Sequence, residues 1–328
     1  MKKYCKLLCQ MLLVLLVIFS LAAPQALAKT LKLAHSTWVG YGPLYIARDK
    51  GYFKEEGVAV ELIIMENTPL KMGALMAGKI DAVASTADEF VIYMKPGKLL
   101  YYLLALDNSK GGDGVVANID IKTVADLKGK KVACEEGSVS QFFLNALLRE
   151  VGLTHKDVDM INMTATDAGV AMIANRVDAA VTWEPHLSQA ASKGHGHLLI
   201  DSSKRPGLIV DVVAVLPEVA QQRKAELKGL VRAWERALKF VEQNPDEANK
   251  IMANGVGGWL KDPAVFAETL SGIEYLNLEK NRALFGTPDK PGTLYKTVQF
   301  ALDIWSDFGK VQVSMKPGDI IDSEFINQ

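Results

Sequence analysis

The sequence predicts an α/β protein of two lobes, each a mostly parallel sheet flanked by helices, with two crossover strands between them. Three observations carry this. Short apolar strands alternate with stretches of helical periodicity. The strand–helix order of the first hundred residues of the mature chain returns in the next hundred. Gly- and Asp-bearing loops separate the elements, the pattern of βαβ units rather than of hairpins.

In the first unit, residues 30–36 read as a strand with Leu31, Leu33 and Ala34 apolar, followed by a Gly-bearing loop and a helix over 44–54. Residues 58–65 form a second strand, 69–77 a helix ending at Gly78, and 80–84 a closing strand of small residues. The second unit repeats this with a strand at 131–133, a loop opened by Gly137-Ser138, a helix over 141–151, a strand over 159–163, a helix over 168–175 and a strand over 177–181. The register is shared: Leu33 to Val132 is 99 residues, Val60 to Met160 is 100 and Asp81 to Asp178 is 97. Two more apolar strands, 114–117 and 210–216, each follow a polar turn and suit crossovers. The remainder is helical over 227–241 and 293–308, with apolar positions at i, i+3 and i+4, and is expected to pack on the first lobe. The expected boundaries are 29–113 with 217–328 for the first lobe and 114–216 for the second, with crossovers near 112–117 and 208–217.

Composition sets the outer limits. With 328 residues, 49% hydrophobic, 23% charged, 26 Gly and 12 Pro, the chain is neither collagen-like nor disordered. A formal charge of −1 supplies no basic field for nucleic acid. The first 28 residues stand apart: Lys2, Lys3 and Lys6 precede an apolar run over 11–23 broken only by Ser20, and Ala26-Leu27-Ala28 closes the segment. This reads as a secretory signal cleaved after Ala28. As a helix the run spans about 20 Å, short of a ~30 Å hydrocarbon core, so an anchor is disfavoured. Cleavage removes three basic residues and no acidic one, leaving a charge near −4. Cys5 and Cys9 leave with the signal, so Cys134 has no bridging partner and no thiolate metal cage exists. Lys29 stands where a lipoprotein would place Cys. No cofactor is expected.

In open α/β sheets ligands sit beyond the carboxyl ends of strands, where loops lead into helix N-termini. That rule nominates the loops 35–42, 85–89, 107–113, 136–140 and 182–186, together with Asp211. In the first, Gly40 and Gly42 permit close backbone approach while Trp38 and Tyr41 offer apolar walls with polar tips; His35 reads as a packed side chain rather than a base. Ser85, Thr86, Asp88 and Glu89 either cap a helix or face a ligand, as does Ser138. Trp183 and Glu184 occupy the equivalent strand end of the second unit and suit a clamp for a small polar molecule. Asp113 and Asp211 flank the crossovers as hinge or pocket residues. No HExxH, GxSxG, Walker loop or strand-borne GxGxxG is present, so the pattern reads as a receptor.

The segments Trp38-Val39-Gly40-Tyr41-Gly42-Pro43-Leu44-Tyr45-Ile46-Ala47, Lys50 through Gly57, Gly78-Lys79-Ile80-Asp81-Ala82, Asp126 through Val132 and Trp183-Glu184-Pro185 resemble the periplasmic solute-binding proteins of the nitrate/sulfonate/taurine (NMT1/THI5-like) ABC importer family. The likeness covers residues 31–216 well and the helical tail only by composition. It implies a type II-like periplasmic-binding-protein fold, a ligand caught between the lobes by hinge closure, a monomer, and delivery to an inner-membrane permease with a cytoplasmic ATPase. It implies ligand-binding positions at Trp38, Gly40, Tyr41, Ser85, Thr86, Ser138, Trp183 and Glu184. The loops hold no Arg except outlying Arg205, whereas Asp88, Asp113, Glu136, Glu184 and Asp211 supply an excess of acid. That excess favours a cationic or zwitterionic nitrogen compound, and a taurine-like zwitterion satisfies both amides and acids. The rival reading is a thiamine-pyrimidine-synthase-like enzyme or pyrimidine-precursor binder on the same fold, disfavoured by the single mature Cys; a sensor role is the third.

Overall fold

The computed structural model describes residues 29–193 and 195–327. The expected signal segment, 1–28, lies outside the described residues. The strands are β1 (Leu31–His35), β2 (Val60–Ile64), β3 (Ala82–Thr86), β4 (Tyr101–Ser109), β5 (Asp113–Asn118), β6 (Lys131–Cys134), β7 (Asp159–Asn162), β8 (Ala179–Trp183), β9 (Gly196–Asp201), β10 (Val210–Val215) and β11 (Ile273–Tyr275). They form two sheets, of order β11-β4-β10-β3-β1-β2 and β7-β6-β8-β5-β9.

The repeat is realised in hydrogen bonds. β1 pairs in parallel with β2 and β3, and β6 pairs in parallel with β7 and β8. Asp81 Oδ2 accepts the Lys32 N–H at 2.8 Å, and Asp178 Oδ2 accepts the Lys131 N–H at 2.8 Å. The Asp in each Ile/Val-Asp-Ala motif therefore locks its closing strand to the unit's first strand.

Each sheet is parallel over three strands and antiparallel over the rest: β10 runs antiparallel to β3 and β4, and β5 to β8 and β9. The antiparallel strands are those adjoining the crossovers, because a chain arriving from the other sheet enters against the direction of the βα units. Residues 210–216, expected with the second lobe, form β10 in the middle of the first sheet, and β5 lies inside the second. The crossings are the links from β4 to β5 and from β9 to β10. Ser109 and Ser202 hydroxyls stitch those links together at 2.8 Å, and Gly111 N–H donates to Ser202 Oγ at 2.7 Å.

The helix expected over 44–54 breaks in two, Gly42–Asp49 and Tyr52–Glu55, at Gly51, whose φ of 77° is left-handed. The helix Lys224–Gln243 buries Leu227, Leu230, Val231, Trp234 and Leu238, one stripe, against Gly42–Asp49 of the first lobe. A Cβ on Gly229 would lie 2.5 Å from the Glu56 carbonyl oxygen, so this approach requires glycine. The helix Thr293–Asp307 bridges the lobes: Phe142 of the second lobe lies 6.2 Å from Trp305, ring centre to ring centre.

Candidate functional site

Between the sheets lies a narrow cleft with about 20 Å³ of free space in this closed arrangement. The first lobe supplies Ser36, Trp38, Tyr41, Thr68, Lys71, Ser85, Thr86, Glu89 and Asp211; the second supplies Asp113, Val139 and Trp183. Seven of the twelve residues nominated from sequence thus line it: Trp38, Tyr41, Ser85, Thr86, Asp113, Trp183 and Asp211.

The other five lie elsewhere. Gly40 sits behind Trp38, where a Cβ would come within 1.9 Å of Asp107 Oδ2, so its smallness lets the loop close over that carboxyl. Asp88 is wholly buried behind the wall, its carbonyl accepting Trp305 Nε1–H at 3.0 Å. Glu136 is exposed and pairs with Lys310 at 2.7 Å. Ser138 caps the helix Val139–Glu150, accepting the Ser140 N–H at 3.1 Å and donating to the Glu135 carbonyl at 2.8 Å. Glu184 precedes the helix His186–Lys193 and accepts from its Ser188 N–H at 3.2 Å and from the Ser188 hydroxyl at 2.5 Å.

The loop after β1 is fixed by buried bonds. Trp38 Nε1–H donates to both Asp107 oxygens at 3.2 and 3.3 Å, and Tyr41 OH donates to Asp211. His35 Nδ1–H donates to the Ser36 carbonyl at 2.8 Å while its Nε2 accepts Tyr45 OH at 3.0 Å. Burial lowers the His35 pKa to about 4, so this imidazole is neutral and fully used.

Sequence reasoning missed the cavity's cation. Lys71, on the helix Thr68–Met76, is 1% exposed, and its Nζ makes one hydrogen bond among the described residues, to Ser85 Oγ at 3.0 Å. An ammonium carries three donors, so two remain for the cleft. Ser85 OH in turn donates to Glu89, whose Oε1 accepts Thr68 OH at 3.4 Å and, across the cleft, Val139 N–H at 2.8 Å. Glu135 of the second lobe likewise accepts Thr68 N–H at 3.3 Å, and Tyr93 OH donates to the Gly137 carbonyl at 2.9 Å. The lobes are therefore closed on one another through charged and backbone groups at the cleft.

The carboxyls cannot all ionise. Burial first raises Asp113 to about 7 and Asp211 to about 8, each against an opposing hydrogen bond, from Ser109 and from Tyr41, and with help from nearby carboxylates. Asp107 is held well above its ordinary value by burial and Asp211, and Glu135 rises to about 7 through burial and Glu89. The cleft thus sets the Lys71 side chain beside carboxyls that hold their protons to higher pH than usual and would release them to an incoming positive charge. No group of three or more His, Cys, Asp or Glu among the described residues could hold a metal.

Two α/β lobes built from mixed sheets, joined by two crossovers and closed over a cleft, define the periplasmic-binding-protein class of fold. The chain belongs to the NMT1/THI5-like family, whose model matches residues 38–248. A protein of Escherichia coli K12, provisionally named as binding aliphatic sulfonates, is 31% identical over 192 residues, 58% of this chain and 60% of that one. A Haemophilus influenzae protein provisionally named for thiamine biosynthesis is 26% identical over 213 residues, 63% of this chain and 67% of that one. The crystal structure of the periplasmic aliphatic sulphonate binding protein SsuA from Escherichia coli shares the fold at a TM-score of 0.71 and 20% identity, covering 91% of this chain and 99% of that one.

Proposed function

We propose that this chain is the extracytoplasmic receptor of an ABC importer and that its solute is a small zwitterion, an amine carrying a sulfonate or similar anionic head. One observation carries the reading: a buried ammonium with unfilled donors, Lys71, faces the same enclosed space as the carboxyls Glu89, Asp113 and Asp211. An anion alone would give the carboxyls no positive partner against which to ionise, and a cation alone would leave the Lys71 donors unfilled. Trp38 and Trp183 wall the cleft from opposite lobes. Because its walls come from both lobes, a solute completes its contacts only in the closed arrangement, and binding shifts the open–closed equilibrium by that difference. The name of the Escherichia coli relative supports the anionic half. In this reading the receptor works as a monomer outside the cytoplasm and delivers to a membrane permease driven by an ATPase. No helix among the described residues is long and apolar enough to cross a membrane.

The thiamine-related relative favours a second reading, an enzyme or binder of pyrimidine precursors. Against the enzyme, Cys134 is buried with its thiol pushed far up by desolvation, and His35 has both ring nitrogens engaged. A thermal-shift screen of aminosulfonates, alkanesulfonates, amines, guanidino compounds and pyrimidines separates the readings, since a ligand of the folded state alone raises stability by mass action. Stabilisation by zwitterions without turnover is the expected result. Stabilisation by pyrimidines alone, or chemical conversion of any member, overturns the proposal.

A further inference from the structure

A second concavity, an open groove of about 620 Å³, lies where the crossover segment between β9 and β10 meets the helices Leu278–Phe285 and Thr293–Asp307 and the end of Val139–Glu150. Its floor is apolar: Leu208, Val210, Leu276 and Leu284 line it, and beside them Phe300 stays 36% exposed. Phe300 is held edge-on to Phe142 of the second lobe at 6.3 Å, so its ring is a fixed wall rather than a loose surface side chain. Thr297 OH donates to the Gly207 carbonyl at 2.8 Å and ties the helix to the crossover segment.

The charged side chains around this floor, Glu150, Lys204, Arg205 and Lys296, leave a net positive balance. Arg205 is consumed by Glu150, donating from Nε at 2.6 Å and again from its terminal nitrogen. Lys204 and Lys296 line the same concavity, are exposed, and make no side-chain hydrogen bond or ion pair among the described residues. Apolar walls with a few convergent polar groups are the make-up of a small-molecule site. Two uncompensated ammonium groups fix the sign of what it takes.

We propose that this groove is a second binding site, separate from the cleft, for a small amphipathic monoanion: a carboxylate or sulfonate on a short alkyl or aryl tail. The tail lies on Leu208, Leu276, Leu284 and Phe300, and the anionic head reaches Lys204 and Lys296. The site does not depend on the identity of the cleft's solute.

The test is amide chemical-shift titration of the ¹⁵N-labelled mature chain with hexanoate and, separately, with hexanesulfonate. Saturable shifts are expected at Gly207, Leu208, Leu284 and Thr297 with both probes. The double variant Lys204→Glu with Lys296→Glu should weaken both by about tenfold or more, because reversing charges beside an anion replaces attraction with repulsion. Both lysines are exposed, so the variant keeps its fold, which its unfolding temperature checks. Absence of saturable shifts, shifts centred instead on Trp38 and Trp183, or undiminished affinity in the double variant overturns the proposal.

Discussion

Lys71 is where the chemistry of the cleft turns. Its ammonium is 1% exposed and donates to Ser85, so Lys71→Met keeps the packing of the stem while removing the charge. The variant should bind a zwitterion roughly thirtyfold or more weaker by titration calorimetry, the usual loss when a desolvated charge pair loses one member. Asp211 and Asp113 set the pH dependence. Both are raised from carboxylate values near 4 to about 8 and about 7, so between those limits the folded chain binds more protons than the unfolded one. Stability of the solute-free chain should therefore be full below about pH 4, insofar as these two groups govern it, fall as pH rises toward 8, and level above that. Asp211→Asn should flatten the upper part of that fall in melting curves taken from pH 5 to 9. Solute affinity has the opposite sense, rising over the same range as the carboxyls ionise to meet the ammonium. Gly40→Ala, which drives a methyl onto Asp107, should cost about 1–3 kcal/mol by urea unfolding. At this scale the loop rule found Trp38, Tyr41, Asp113, Trp183 and Asp211 because they lie at strand ends. It missed Lys71, which reaches the cleft from one turn inside a helix; of the two readings open for Ser138 the structure has the cap, and Glu184, expected as a clamp, binds Ser188 at the start of a helix.

Among elements, the two Asp-Ala strands offer a paired experiment. Asp178 anchors its strand by accepting the Lys131 N–H, and its loss should cost about 1 kcal/mol, the worth of an ordinary hydrogen bond. Asp81 makes the equivalent bond and also pairs with Arg223 at 3.3 Å, with both side chains 12% exposed, so Asp81→Ala should cost more than Asp178→Ala in the same urea series. Lys310→Ala breaks an exposed pair with Glu136 and should change stability by less than about 1 kcal/mol. The repeat was legible because strand, helix and strand recur at one spacing. β4 was not, because Tyr101-Tyr102-Leu103-Leu104-Ala105-Leu106 is a continuous apolar run whose period does not separate a buried strand from a helix. β9 was masked by the Gly and His residues at its start, which read as a turn.

For the whole molecule, the crossovers decide how the lobes communicate. β4 and β10 pair with each other inside the first sheet, and the links leaving them meet through Ser109 and Ser202. The sequence marked both crossover strands but placed β10 on the wrong side of the boundary, since an apolar strand carries no label for the sheet it joins. The acid excess at the lobe junction was visible in the loops; its balance by a single cation was not. The central claim is that the closed cleft reads both ends of a zwitterion, and calorimetric titration at pH 7.5 tests it with the best zwitterion from the thermal screen and its two halves, one lacking the amine and one lacking the anion. The account expects the intact zwitterion to bind at least about thirtyfold more tightly than either half. Equal or tighter binding of the half lacking the amine would contradict it.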